Sequence, residues 1–375
     1  MSKIPTLRFK EFNGDWKENK FENIFNFSTG KNIKQNEASP EFEIPCVRYG
    51  ELYHMYNEII SNVINSTNLD KSELVFSQGN EILLPSAGED PLDIGSASAL
   101  TIPNIAIGRT INILRPLSDN VYSQKYVSYY INQKLRRTIS TLAKGSSISN
   151  VYNSDLKKLN IFLPSLIEQE KIASFLNQVD TKIEQLTKKE KLLQQYKKGV
   201  MQKIFNQEIR FQADDGSEFC DWEEKRLKEV LDYEQPTKYI VESTEYNGNY
   251  NTPVLTAGKT FILGYTNEEN GIYTNSPVII FDDFTTANHY VDFDFKVKSS
   301  AMKLLKEKNE NICLKFVYEF IQKLHFPIGE HKRYWISEYS YLKIKLPCLE
   351  EQIKIANFLS SIDTKIEQTQ KQLEK

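Results

Sequence analysis

Side chains that carry chemistry are plentiful in this chain, but none falls in a pattern that a reaction requires. Gly258-Lys259-Thr260 has the ending of a phosphate-binding loop, yet the glycine that opens such a loop would stand at position 253, which is Pro253. Without that backbone cradle the run reads as a polar turn. His54, His289, His325 and His331 show neither HxH nor HExxH spacing, the spacings that bring two imidazoles onto one metal. Asp282-Asp283 has the look of a metal pair, but neighbouring carboxylates on a strand point to opposite faces. Cys46, Cys220, Cys313 and Cys348 lie far apart and form no CxxC pair, so they read as reduced cytosolic thiols. No Asn- or Asp-Pro-Pro-aromatic run and no Phe-x-Gly-x-Gly loop is present, as an amino-methyltransferase would be expected to carry. The expectation is a chain with no catalytic residue and no metal ligand of its own.

What remains is a set of loop residues able to donate and accept hydrogen bonds in pairs, or to hold an anion. In the first half these are Lys31, Arg48, Tyr49, Ser86, Ser96, Ser98, Arg109 and the loop from Lys144 through Ser146 to Asn150. In the second half they are Lys259, Thr260, Thr285, Thr286, Asn288, His289, Lys298 to Ser300, and Lys332, Arg333 and Tyr334. The clusters matter more than their members, because they fall at matching places. Gly145–Asn150 and Gly329–Arg333 each precede a Leu-Pro pair by a similar distance, and Arg109 aligns with Ser300 at an offset of 191.

That matching reflects a chain written twice. Ile161–Gln185 and Ile344–Gln368 are identical at 17 of 25 positions, at a fixed offset of 183. Upstream, Leu7-Arg8-Phe9 with Asp15-Trp16 returns as Ile209-Arg210-Phe211 with Asp221-Trp222, the Asp-Trp pair at an offset of 206. The offset shrinks by 23 across each copy, so the frame is shared while the interior differs in length and sequence. A faint skeleton survives inside. Pro45–Gly50 parallels Pro253–Gly258, Ile82–Leu84 parallels Val278–Ile280, and the helix-like run from Lys125 parallels that from Lys315. Repeats of this kind decide architecture. The chain divides into residues 1–165, a long helix 166–205, residues 206–349, and a second helix 350–375.

Both helices open with Leu-Pro and acidic residues, Glu168 in one and Glu350-Glu351 in the other, which are start signals. Apolar residues then recur at steps of four and three: Ile172, Leu176, Val179, Ile183, Leu186 and Leu193, and again Ile355, Leu359, Ile362 and Ile366. This is a heptad seam. Residues 166–205 would span about 60 Å, too long to bury such a stripe alone, and the two helices together predict a coiled coil within the chain. Exposed-looking Lys182, Glu184 and Gln185 match their copies too, which points to a partner shared by both helices.

Composition fits this outline. At 375 residues the chain suits two domains or more. With 40% hydrophobic and 26% charged residues it reads as folded. No run approaches the roughly 18 apolar residues of a membrane helix, and no secretory signal is visible, so a cytoplasmic location is expected. The net charge of −3 divides as +1 over 1–165, +3 over 166–205, −6 over 206–349 and −1 over 350–375. No segment is a broad cationic surface for nucleic acid.

The segments LPSLIEQEKIASFLNQVDTKIEQ and LPCLEEQIKIANFLSSIDTKIEQ resemble those of the specificity subunits of type I restriction-modification systems. The likeness covers the whole chain in organisation and is strongest at the helix starts. It implies an α+β fold in which two similar mixed α/β target-recognition domains are joined by two long antiparallel coiled-coil helices, related by a pseudo-two-fold repeat. It implies that each domain reads one half of a split double-stranded DNA site, the loop residues above being the candidate contacts. The coiled coil would set the spacing and dock two modification (methyltransferase) subunits, with restriction and translocation subunits in the full complex. S-adenosylmethionine, ATP and Mg²⁺ would belong to those partners. The second helix, which stops 13 residues short of its copy, departs from this pattern. Two other readings remain: a non-catalytic interaction scaffold on a coiled-coil spacer, and an enzyme with an unrecognised site.

Overall fold

Ile82, Leu84 and Leu114 carry no polar atoms beyond the backbone and lie completely buried; they show how each half of the chain is built. They belong to a sheet whose five strands run in the order Phe25–Thr29, Ile111–Pro116, Glu81–Pro85, Ser98–Leu100 and Ile59–Ile60. One face of this sheet packs on Phe21, Phe25 and the helix Gln124–Tyr130 (α1), through Tyr126 and Val127. The opposite face turns Leu83, Ile111 and Ile113 against Val47 and Ile107. Those two belong to a second sheet, ordered Asn65–Thr67, Ile44–Val47, Pro103–Ile107 and Phe76–Gln78. Each such side chain removed from water stabilises the fold by roughly 1.5–3 kcal/mol. The computed structural model describes residues 5–145, 148–258, 260–328 and 332–375. It divides into two units, one ending at Ile183 and the other running from Glu184 to Lys375. The division falls inside a single helix, Leu166–Phe205 (α2).

The second unit repeats the plan with fewer strands. Its main sheet is ordered Leu231–Glu234, Met302–Glu307, Val278–Asp282 and Asn288–Val291, all antiparallel. Its second sheet is ordered Ile262–Thr266, Thr252–Leu255 and Lys296–Val297. The helix Leu314–Lys323 (α3) lays Phe316, Val317, Phe320 and Ile321 over Ile279, Phe281 and Leu305. The helix-facing residues are therefore Ile82 and Leu84 in one unit and Ile279 and Phe281 in the other. The alignment of Ile82–Leu84 with Val278–Ile280 is one residue out of step, because side chains alternate across a strand and a slip of one exchanges the faces.

The repeated frame is held by the same contacts in each unit. Lys17–Lys20 pairs antiparallel with Asn160–Leu163, and Glu223–Arg226 pairs likewise with Lys343–Leu346. Glu168 accepts hydrogen bonds from Arg8 Nε and Nη2, both at 2.7 Å, and from Trp16 Nε1 at 3.3 Å. Glu351 accepts from Arg210 at 3.2 and 2.8 Å and from Trp222 at 3.0 Å. Both carboxylates are buried, so these acids are clasps on the preceding segment and not merely solvated charges at a helix start. Gln169 and Gln352 repeat each other as well. Each donates to the Leu-Pro carbonyl, Pro164 or Pro347, and accepts a backbone N–H, from Ser123 or Cys313.

The second long helix, Leu349–Leu373 (α4), runs antiparallel to the later part of α2. Gln370 donates to Glu190 at 2.7 Å, Lys197 reaches Asp363 at 2.7 Å, and Ile204 shares a cluster with Ile355 and Ala356. The heptad seam is covered there: Ile355, Leu359, Ile362 and Leu186 are buried, and Leu193 and Ile366 are half-buried. The earlier part of the α2 seam differs. Ile172 packs into the first unit's core and Leu176 is half-buried, but Val179 and Ile183 are 39% and 47% exposed. Their copies Ile362 and Ile366 are instead buried and half-buried in a cluster with Val200, Met201 and Ile204 of α2. A second asymmetry sits beside the first. Lys197 bonds Glu319 of α3 at 2.9 Å as well as Asp363. At the equivalent place Tyr129 of α1 donates its hydroxyl directly to Asp180.

Candidate nucleic-acid interface

Main-chain hydrogen bonds draw the loop residues of each unit together at one junction. In the first unit Ser86 follows the central strand. Its N–H donates to Thr110 O at 2.8 Å, and its carbonyl accepts from the Val151 N–H at 2.9 Å. In the second unit the same place is taken by Asp283, which donates to Ala301 O at 3.0 Å and accepts from the Tyr334 N–H at 2.7 Å. Three segments thus meet in each unit: the end of the central strand, the turn before the neighbouring strand, and the loop that leads to the long helix.

Around this junction the first unit gathers Lys31, Arg109, Tyr49, Asn150 and Lys144. The Lys31 N–H donates to Ile107 O at 3.1 Å, Arg109 N–H to Asn32 O at 2.9 Å, and Gly108 N–H to Val47 O at 2.8 Å. Gly30 makes this approach possible, since a Cβ there would lie 2.0 Å from Gly108 O. Lys144 and Asn150 bridge each other across the last loop. Tyr49, Arg109, Thr110 and Ile148 line a cleft of about 510 Å³ together with Ala87 and Gly88. Lys31, Tyr49, Arg109 and Lys144 are exposed. Arg48 is held at 2.7 Å by buried Glu51, which also accepts from Asn65; its guanidinium braces the loop from below. Lys144 pairs with Asp155 at 3.0 Å, and this hydrogen bond holds the Asp155 carboxyl below its ordinary value.

The second unit gathers the matching strip. The Asp282 carboxylate accepts the N–H groups of Phe284 and Thr285, both at 2.8 Å, and so shapes the turn that carries Thr285 and Thr286. The Arg333 guanidinium lies 6.0 Å from the Phe284 ring. His289 stacks against Phe261 at 4.5 Å and contacts Gly258 O at 3.3 Å, beside Thr260. The Lys298 N–H donates to Leu255 O at 3.0 Å, the counterpart of Gly108 and Val47, and its ammonium sits over Tyr246. Lys332 pairs with Glu338. Two β-branched residues of these turns, Thr110 and Thr286, hold positive φ of 67° and 57°, a conformation such residues avoid unless the surroundings impose it.

Two candidates do not belong to the strips. Tyr334 is 1% exposed and packs against Phe326; its backbone, not its ring, serves the junction. Ser98 is buried in its strand and donates to Asn57 O. Ser146 and Lys259 lie outside the described residues. The strips also hold residues that side-chain chemistry alone did not single out. Asn32 and Phe284 act through backbone position and ring packing, and Asp283 was legible only as half of an acidic pair whose members do face opposite ways: Asp282 is half-buried and Asp283 1% exposed. Among the described residues no group of three His, Cys, Asp or Glu side chains is placed to hold a metal ion. Burial pushes the Cys46 thiol up to about 12, and no described helix is long and apolar enough to cross a membrane.

Two copies of one α/β unit, each presenting a polar loop strip at the same main-chain junction and each closed by a long helix, define an internally duplicated recognition protein. The family described as type I restriction modification DNA specificity domain matches residues 13–194 and again 220–375. The chain belongs to this family, the specificity subunits of type I restriction-modification systems. It is 55% identical over 141 residues to the type I restriction enzyme EcoR124I/EcoR124II specificity subunit of Escherichia coli. That match covers 36% of this chain and only 35% of the relative's length. It is 25% identical over 358 residues to the MjaVIII specificity subunit of Methanocaldococcus jannaschii, covering 86% of this chain and 80% of the relative. The crystal structure of the type I S subunit from M. genitalium shares the fold, with a TM-score of 0.70, 17% identity, and coverage of 98% and 94% of the two chains.

Proposed function

We propose that this chain selects the DNA sequence for a type I restriction-modification complex and leaves the chemistry to its partners. Each unit reads one half of a bipartite double-stranded site through its loop strip. The helices fix the gap between the halves and dock two modification subunits, with restriction and translocation subunits joining in the full complex. S-adenosylmethionine, ATP and Mg²⁺ act in those subunits. The observation that carries this reading is the repeated junction at Ser86 and Asp283: the two units share one main-chain frame and hang different side chains on it. Arg, Lys, Asn and Thr in such positions match base edges and phosphates. With a net charge of −3, the isolated chain is expected to bind DNA weakly, and the assembled complex supplies the rest of the phosphate grip.

The test is to replace residues 206–349 by the corresponding domain of another such subunit, express the chain with its modification partner, and map methylated adenines across a genome. One half of the modified site should change while the other half stays. Both halves changing would overturn the modular reading.

A further inference from the structure

Lys303 and Asp283 form an ion pair in the interior of the second unit. Their charged atoms are 3.4 Å apart, and each side chain is 1% exposed. Among the described residues neither Lys303 Nζ nor Asp283 Oδ2 has a hydrogen-bond partner; the ammonium also lies 5.2 Å from the centre of the Tyr233 ring. Such a pair is costly to bury and is weak evidence for stability. Its position offers another role. The second oxygen, Asp283 Oδ1, accepts the Trp335 N–H at 2.8 Å. With the backbone bonds to Ala301 and Tyr334, one residue thereby ties down all three segments of the strip: the turn bearing Thr285 and Thr286, the turn bearing Lys298 to Ser300, and the loop bearing Arg333. The first unit does this with neutral groups. Ser86 stands where Asp283 does, and Asn112, at the place of Lys303, donates to Val151 O at 3.0 Å.

We propose that Asp283, held in one orientation by Lys303, is the positioning residue for sequence discrimination by the second unit, although it touches no DNA. This rests on the DNA-reading function proposed above. Removal of the carboxylate keeps the backbone bonds but leaves the Trp335 N–H without its acceptor, which loosens the loop bearing Arg333 against the Thr285–Thr286 turn, and paired contacts to base edges require both to be in place.

The experiment uses the chain assembled with its modification subunits and measures binding to the cognate site and to sites with one base pair changed in either half. The variant is Asp283→Ala with Lys303→Met, which leaves no lone buried charge. Discrimination at the half-site read by the second unit is expected to fall about tenfold, on the order of one base pair's contribution, while the other half-site is unaffected. Asp283→Asn with Lys303→Met keeps the acceptor for Trp335 and should recover most of the loss, which a general weakening of the fold would not show. Should the alanine variant fail to fold, Asp283→Leu with Lys303→Met, which fills the space but likewise offers Trp335 no acceptor, is read in the same way. Wild-type discrimination by a folded variant that offers Trp335 no side-chain acceptor at position 283 overturns the inference. Absence of discrimination at both half-sites by the unaltered complex instead overturns the DNA-reading function itself.

Discussion

At the scale of single residues, the polar groups that matter most are buried. Glu351 is 0% exposed and takes three hydrogen bonds from Arg210 and Trp222. Replacing it with alanine strips two donors of their partner inside the fold, and Glu351→Ala should lower unfolding free energy by about 2–4 kcal/mol in a denaturant titration. Glu168 in the first unit predicts the same loss. Surface residues of the strips behave differently. Arg333 is exposed and, among the described residues, lies against the Phe284 ring, so Arg333→Ala should leave stability within about 0.5 kcal/mol of the original. It should cost about 1–3 kcal/mol of DNA binding and relax specificity at one position of one half-site, as measured by binding to single-base variants. These two classes were unequally legible in sequence. Glu168 and Glu351 stood out because they repeat, but their spacing matched a helix-start signal equally well, and only the returning Arg8 and Arg210 show what they hold. Tyr334 looked like a contact because it adjoins Lys332 and Arg333; its ring is core, which a loop sequence does not disclose.

At the scale of elements, the helix pair carries one charged lock. Burial of Lys197 works against its charge, but the attraction of Glu319 and the hydrogen bonds that the ammonium donates to Asp363 and Glu319 outweigh it and hold the ammonium above its ordinary value. A group whose folded value is raised contributes stability that is fully present below the unfolded lysine value, about 10.4, and is lost as pH rises through the folded value. Thermal melting followed from pH 8 to 11 should therefore show a loss at the alkaline end that Lys197→Met no longer shows. The same variant should be less stable at neutral pH by about 2 kcal/mol, because buried Glu319 loses its nearer counter-charge and keeps only Lys315, at 3.7 Å. The heptad steps foretold that α2 and α4 would pair, since the period of apolar residues is a direct consequence of helix geometry. They did not foretell which part of the seam is covered. Val179 and Ile183 satisfy the heptad as well as Ile362 and Ile366 do, and what separates them is the presence of a partner helix, a long-range matter that local spacing does not encode.

At the scale of the whole molecule, the repeat was the most legible feature and the sheet interiors the least. The 17 identities of the helix segments record contacts that recur, the Glu clasp and the Gln bridge among them. Inside the units, an uninterrupted apolar run such as Ile82-Leu83-Leu84 gives no sign of which face each residue takes, and the one-residue error in matching it to its copy follows from that. The four-stranded sheet of the second unit and the five-stranded one of the first share four strands in the same order, to which the first adds Ile59–Ile60, but the connections differ in length, so the interior offered no continuous match. The junction at Ser86 and Asp283 explains why such divergence does no harm. It is made chiefly from peptide N–H and C=O groups, which every residue but proline supplies alike. A joint of that kind is largely indifferent to vocabulary: so long as the buried groups that brace it are kept, Asn112 in one unit and Asp283 with Lys303 in the other, the exposed side chains around it are free to be rewritten one at a time, and each revision is presented at an unchanged place. A protein assembled on such joints acquires new targets by small edits to its text, without having to invent a new fold for each.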